Sequence, residues 1–223
     1  MSTENWRTVN PGGDKRVIVT KELPGERWLE FLTAAGCRVE IGTATAVLPV
    51  ETIVAAIGSR CDGAIGQLTE PWGETLFAAL KAAGGRAYSN YAVGFNNIDL
   101  AAATRHGIPV GNTPGVLTEA TAEMAVALTF AAARRVGESE RFLRAGKFEG
   151  WLPGLLLGEL LWRKTIGIVG AGRIGFAYAR MMMEGHKTDI LYYDLHRNRD
   201  LEAFAVQYSR FLADRGQAPV ACR

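Results

Sequence analysis

Six residues late in the chain, Gly170-Ala171-Gly172-Arg173-Ile174-Gly175, have the spacing with which a backbone can hold a diphosphate. In a G-x-G-x-x-G turn the first glycine permits the tight exit from a strand. The second removes a Cβ that would bar a pyrophosphate, and the third lets strand and helix pack closely. The following helix offers unpaired N–H groups and a partial positive charge to the phosphates. One helix end contributes only about 0.3–2 kcal/mol, so it orients an anion and does not bind it alone. The six residues by themselves are a weak signal, and their setting strengthens them. "TIGIVG" reads as a strand, "RIGFAYARMMMEG" as a helix, and Asp194 ends the next apolar run nineteen residues beyond Gly175. A carboxylate there would hydrogen-bond the adenosine ribose hydroxyls and repel a 2′-phosphate, which favours NAD over NADP. Arg197 and Arg199 follow closely and would soften that preference. The structural alternatives are a solvated strand-end acid for Asp194 and an exposed helix-start residue for Arg173, whose backbone matters more than its side chain.

The elements that must carry this turn begin far upstream of it. "RVIVT", "CRVEIG", "CDGAIGQL", "RAYSNYAVG" and "IPVGNTPG" read as strands, five before residue 112, and amphipathic segments of about ten residues alternate with them. Such alternation implies βαβ units and a parallel sheet, a whole doubly wound lobe lacking a glycine fingerprint of its own. Next comes "LTEATAEMAVALTFAAARRVGESERFLRAGKF", a long helix for which Thr118 is a candidate cap. Its apolar residues run almost all round the cylinder through Ala133, the pattern of a helix buried between domains or subunits. "GWLPGLLLGELLW" is apolar but broken by Gly and Pro, and reads as a packed connector. The fold class expected is α/β: a flavodoxin-like lobe (residues 1–117), an interdomain helix region (118–150) and the start of a Rossmann domain (151–223). "DILYYD" and "LEAFAVQYSRFLADRG" supply that domain's second strand and helix, and "QAPVACR" falls where a third strand would begin. Two strands and two helices are expected to leave sheet faces poorly covered and the last helix loosely held.

Composition narrows the function classes. Of 223 residues 48% are hydrophobic and 22% charged, and the net charge is +2 with both signs interspersed. No basic run or stripe provides a nucleic-acid footprint. Cys37, Cys61 and Cys222 are far apart and form no CxxC pair, so neither a disulfide framework nor a metal site is indicated. No apolar run approaches the roughly 18 residues of a membrane span, and "MSTENWRTVNPGGDKR" lacks the apolar core of a secretory signal. A soluble intracellular protein is expected, with peroxisome, mitochondrion, plastid and cytosol left open.

"NYAVGFNNIDLAAATRHGIPVGNTPGVLTEATAEMAVAL" and "GWLPGLLLGELLWRKTIGIVGAGRIGFAYARMMMEGHKTDILYYD" resemble the D-isomer-specific 2-hydroxyacid dehydrogenases, most closely their hydroxypyruvate reductase branch from plants and algae. The resemblance runs from about Lys15 to the last residue. It explains the late fingerprint, because that family places a substrate lobe before the nucleotide domain. It implies a small 2-keto or 2-hydroxy acid substrate, hydroxypyruvate or glyoxylate, reduced with NADH. It also implies that Ala92, Val93 and Gly94 hold the substrate carboxylate, since amides beside a glycine form an anion-binding concavity; an ordinary strand-exit turn is the alternative. Asn112–Val116 would be the crossing between lobes. Thr121 would face the cofactor, or serve as a simple helix-start polar residue, and the long helix would contribute to a homodimer.

The family's chemistry uses an Arg, a Glu and a His that match nothing in residues 1–223. His106, His186 and His196 read as surface or capping residues, so no catalytic residue is assigned here, and little turnover by this polypeptide is expected. A non-catalytic NAD-binding or dimerising short form is one rival reading. Another member of the family, such as a phosphoglycerate dehydrogenase, is the second.

Overall fold

The computed structural model describes residues 6–223. Met1–Asn5, part of the stretch read as lacking a signal's apolar core, lie outside them. Two compact units, Met1–Pro114 and Gly115–Arg223, divide within the segment read as a crossing.

In the first unit the elements run β1 (Trp6–Val9), β2 (Lys15–Val19), α1 (Arg27–Ala34), β3 (Cys37–Gly42), α2 (Val50–Ile57), β4 (Gly63–Gly66), α3 (Glu74–Ala82), β5 (Ala87–Asn90), α4 (Leu100–Arg105) and β6 (Val110–Gly111). The sheet order is β1-β3-β2-β4-β5-β6. Without β1, this is the 2-1-3-4-5 order of a flavodoxin-like doubly wound lobe. The five expected strands are all present and parallel to one another. One further strand, not read from the sequence, adds to this parallel sheet at an edge: β1 pairs antiparallel with β3 and makes the sheet mixed. Its four residues were too few to give an alternation pattern. Ile18, Ile53, Leu76, Phe77 and Tyr88 are fully or almost fully buried between β2, β4, β5 and the helices. Trp72 stacks on Tyr88 with ring centroids 3.9 Å apart, beneath the C-terminal ends of β4 and β5.

The second unit starts with α5 (Thr118–Ala133) and α6 (Val136–Arg144). The expected single long helix is therefore two, broken where Arg135 takes a left-handed conformation (φ 55°). Thr118 does not cap α5; Leu117 occupies the N-cap, with no side-chain hydrogen bond. Within this one chain Ala122 of α5 is enclosed while Met124 and Leu128 are exposed. The connector was expected to be packed, yet Trp151 is 81% exposed, and Leu152, Leu157 and Leu160 are also open to solvent. Its one proline, Pro153, and its three glycines prevent a regular face that could be buried as one.

Then follow β7 (Thr165–Val169), α7 (Arg173–His186), β8 (Asp189–Tyr193) and α8 (Arg199–Ala213), with β7 and β8 parallel and in register. A third strand does begin: Cys222 bridges Ile190, the Ile190 N–H reaches the Ala221 carbonyl (2.8 Å), and the Arg223 N–H reaches the Ile190 carbonyl (2.9 Å). The order third-second-first matches the opening half of a dinucleotide-binding sheet. One face of this small sheet is covered. Ile168 and Ile190 pack with Ala179 and Met183 of α7 and with Leu201, Ala205 and Leu212 of α8. The other face is open at Val169, Leu191 and Tyr193, as expected of so few elements. Helix α8 buries three side chains, Leu201, Ala205 and Leu212. Among the described residues no helix is long and apolar enough to cross a membrane.

Candidate functional site

Each glycine of the fingerprint has its own physical reason. Gly170 leaves β7 at φ 97°, a region that side chains with a Cβ rarely enter. A Cβ on Gly175 would lie 2.1 Å from the Gly170 carbonyl oxygen, so only glycine lets α7 come this close to the turn. A Cβ on Gly172 would meet nothing within 4 Å. The space in front of that residue is open, as a backbone meant to approach a ligand requires. Gly172 is the N-cap of α7 and no side chain caps the helix, so its first N–H groups remain available for an anion.

Asp194, at the tip of β8, is turned onto this loop. Its Oδ2 accepts the Ala171 N–H at 2.7 Å and its Oδ1 accepts the His196 N–H at 3.0 Å. These amides, His196 first and Ala171 second, hold the carboxyl below the usual carboxylate range, so it is ionised at neutral pH. The Ala171 amide is consequently taken, leaving Gly172, Arg173 and Ile174 as the amides that can face a diphosphate. Sequence reasoning missed Asn198. Its Oδ1 caps α8 by accepting the Leu201 N–H (2.9 Å), and its Nδ2 donates to the Ala171 carbonyl (2.5 Å). Asp194 and Asn198 together pin both sides of the Ala171 residue. An Asn just before "RDLE" is a recognisable helix-cap signal, but nothing local in it tells of the bond back to residue 171.

Arg197 does not reach the loop. Its guanidinium makes three contacts of 2.6–2.8 Å with Glu202. Arg197, with the Tyr192 hydroxyl second, pulls the Glu202 carboxyl down to about 2. Arg173 lines a groove of about 310 Å³ together with Thr118, Glu119, Phe176 and Arg180 of α5 and α7. Its backbone begins α7. Thr121 lies on α5, exposed, and does not line that groove.

In the first unit, Ala92, Val93 and Gly94 follow β5 at the C-terminal ends of the parallel strands, where α/β sheets bind ligands. The Ala92 N–H is used internally, donating to the Asn90 carbonyl (2.7 Å). The three carbonyls are each held: Ala92 by the Thr113 N–H (2.9 Å), Val93 by Asn112 Nδ2 (2.9 Å), Gly94 by Asn90 Nδ2 (2.9 Å). In a trans peptide the following N–H points opposite its carbonyl. Fixing those three oxygens therefore also fixes the directions of the Val93, Gly94 and Phe95 N–H groups that follow them.

Over residues 17–207 the sequence matches the family described as D-isomer specific 2-hydroxyacid dehydrogenase, catalytic domain. The chain belongs to this family. A glycerate dehydrogenase of Cucumis sativus is 56% identical over 215 residues, covering 96% of this chain and 56% of that one. A glyoxylate reductase of Korarchaeum cryptofilum (strain OPF8) is 43% identical over 188 residues, 84% of this chain and 55% of the relative. The crystal structure of the TT0316 protein from Thermus thermophilus matches with TM-score 0.77 and 36% identity, over 82% of this chain and 57% of that one. The chain thus spans about half the length of the curated relatives it matches.

The three histidines of this dehydrogenase-family chain have structural partners. His106 Nε2 lies 2.7 Å from Glu74 Oε1, the His186 ring packs 4.4 Å from that of Phe130, and His196 meets Asp194 through its backbone. None is given a catalytic role.

Proposed function

We propose that the protein reduces hydroxypyruvate or glyoxylate with NADH. Glycerate and hydroxypyruvate are the 2-hydroxy and 2-keto forms of one acid, so a glycerate dehydrogenase and a glyoxylate reductase among the relatives point to the same substrate class. The observation that carries the reading is the pairing of an uncapped helix start behind an open Gly172 with an ionised Asp194 bonded to the same turn. These residues fit a dinucleotide. The amides of Gly172, Arg173 and Ile174 would orient its diphosphate, and Asp194 would accept from its adenosine ribose. When bound, the nicotinamide supplies the hydride for the carbonyl carbon. Val93 and Gly94 would hold the substrate carboxylate through their amides, with Ala92 shaping the loop. No residue of this chain is assigned to protonating the alkoxide. The exposed Met124 and Leu128 on α5 are in keeping with a second copy covering that helix, as in a homodimer.

The test is an NADH titration followed by nicotinamide fluorescence. Saturable binding of NADH, weaker binding of NADPH, and loss of that difference in Asp194→Ala support the reading. A wild-type chain that is folded yet binds neither cofactor sinks it.

A further inference from the structure

Beneath the Ala92–Gly94 loop lies a polar network that the proposed reaction does not use. Asn90, at the end of β5, is wholly buried. Its Nδ2 donates to the Gly94 carbonyl (2.9 Å) and to Asn97 Oδ1 (3.2 Å), and its Oδ1 accepts from the Tyr88 hydroxyl (2.9 Å). Asn97 Nδ2 in turn donates to the carbonyls of Gln67 (3.1 Å) and Glu70 (3.0 Å). Those two carbonyls sit on a turn closed from within, where Glu70 Oε2 accepts the Gln67 N–H (3.0 Å) and Trp72 Nε1–H (3.3 Å). Glu70 is itself fully buried. The turn after β4 is thereby tied through Asn97 and Asn90 to the Gly94 carbonyl, whose orientation fixes that of the Phe95 N–H.

The amide group makes this tie work. Asn90 must donate twice and accept at the same time, which a carboxylate cannot do and an amide can. Asn97 holds the Asn90 amide in that orientation by accepting from its Nδ2 while donating to the Gln67–Glu70 turn. In a buried network each member depends on the next being satisfied. We infer that Asn97, acting through Asn90, is a positioning residue for the carboxylate-binding amides of Val93, Gly94 and Phe95. The inference rests on the substrate reading of that loop. Asn97 itself touches no substrate.

The experiment titrates the whole chain with oxalate, an unreactive carboxylate of 2-keto-acid size, and follows backbone amide shifts by NMR. In the wild type the Val93, Gly94 and Phe95 signals should move and saturate together. If they do not move, the substrate reading of the loop fails and this inference fails with it. Asn97→Asp keeps the shape but sets a carboxylate against the carbonyls of Gln67 and Glu70. It should weaken oxalate binding about tenfold, the scale of one charge-assisted hydrogen bond, while amides of β2 and β3 stay in place. Leu80→Ala removes buried apolar contact from the same core without touching any member of the network. It should lower the melting temperature and leave oxalate affinity as in wild type, which a merely structural role for the network would not separate. Should Asn97→Asp lose the β2 and β3 signals, Asn97→Ser and Asn90→Asp are read in the same way. A folded variant at Asn97 that binds oxalate within a factor of about two of wild type overturns the inference.

Discussion

The Asp194 carboxylate accepts the amide hydrogen of Ala171 at 2.7 Å, so the residue that would recognise the cofactor's sugar is fastened to the turn that would hold its phosphates. The two are 23 residues apart in sequence and belong to the ends of neighbouring parallel strands. Asp194→Ala should therefore have two effects. NADH affinity should fall about tenfold, as one charge-assisted hydrogen bond is lost, and the preference for NADH over NADPH should shrink because the negative charge is gone. Fluorescence titration with both cofactors checks this; an unchanged preference would show that the acid does not face the ribose.

Gly172 and Gly175 predict opposite phenotypes. Gly175→Ala forces a Cβ to 2.1 Å from a backbone oxygen, so strand and helix must separate. A cost of about 1–3 kcal/mol or more is expected in chemical denaturation of the second unit. Gly172→Ala places its Cβ in open space at an ordinary φ of −71°, and stability should change little. Cofactor binding should nonetheless weaken severely, since that methyl group occupies the path of the diphosphate.

Glu202 links the second unit's stability to acid. Its folded pKa of about 2 lies below the ordinary 4.5, chiefly because of Arg197 and then Tyr192. A depressed carboxyl adds stability that is present above the unfolded value and is lost as pH falls through the folded one. Wild-type melts should thus lose ground from about pH 5 down to about pH 2, and Glu202→Gln should flatten that part of the profile. The same substitution weakens the hold on Arg197, which would then be free to meet a 2′-phosphate. NADPH affinity should rise in Glu202→Gln, and a fall would contradict the assignment.

Helix α8 is held by Leu201, which is fully buried against β7, β8 and α7. Leu201→Ala should cost about 2–5 kcal/mol, the range for a large-to-small change in a packed core. Hydrogen exchange would show it as lost protection along Arg199–Ala213, with Lys15–Val19 unaffected because it belongs to the other unit.

The sequence alone determined the features that depend on neighbours along the chain. The glycine spacing, the acid at Asp194, the five parallel strands and their helices all follow from turn chemistry and from periods of two and 3.6 residues, which operate over a few positions. Tertiary structure decided what depends on meetings between distant segments. It paired the short β1 antiparallel with β3, broke the long helix at Arg135, left Trp151 and its apolar neighbours in solvent, and set Arg197 on Glu202 instead of the turn. It also joined Asn198 to Ala171, and Asn97 through Asn90 to Gly94. A hydrogen bond is made where a donor and an acceptor arrive together, and periodicity along the chain does not encode which distant partner arrives.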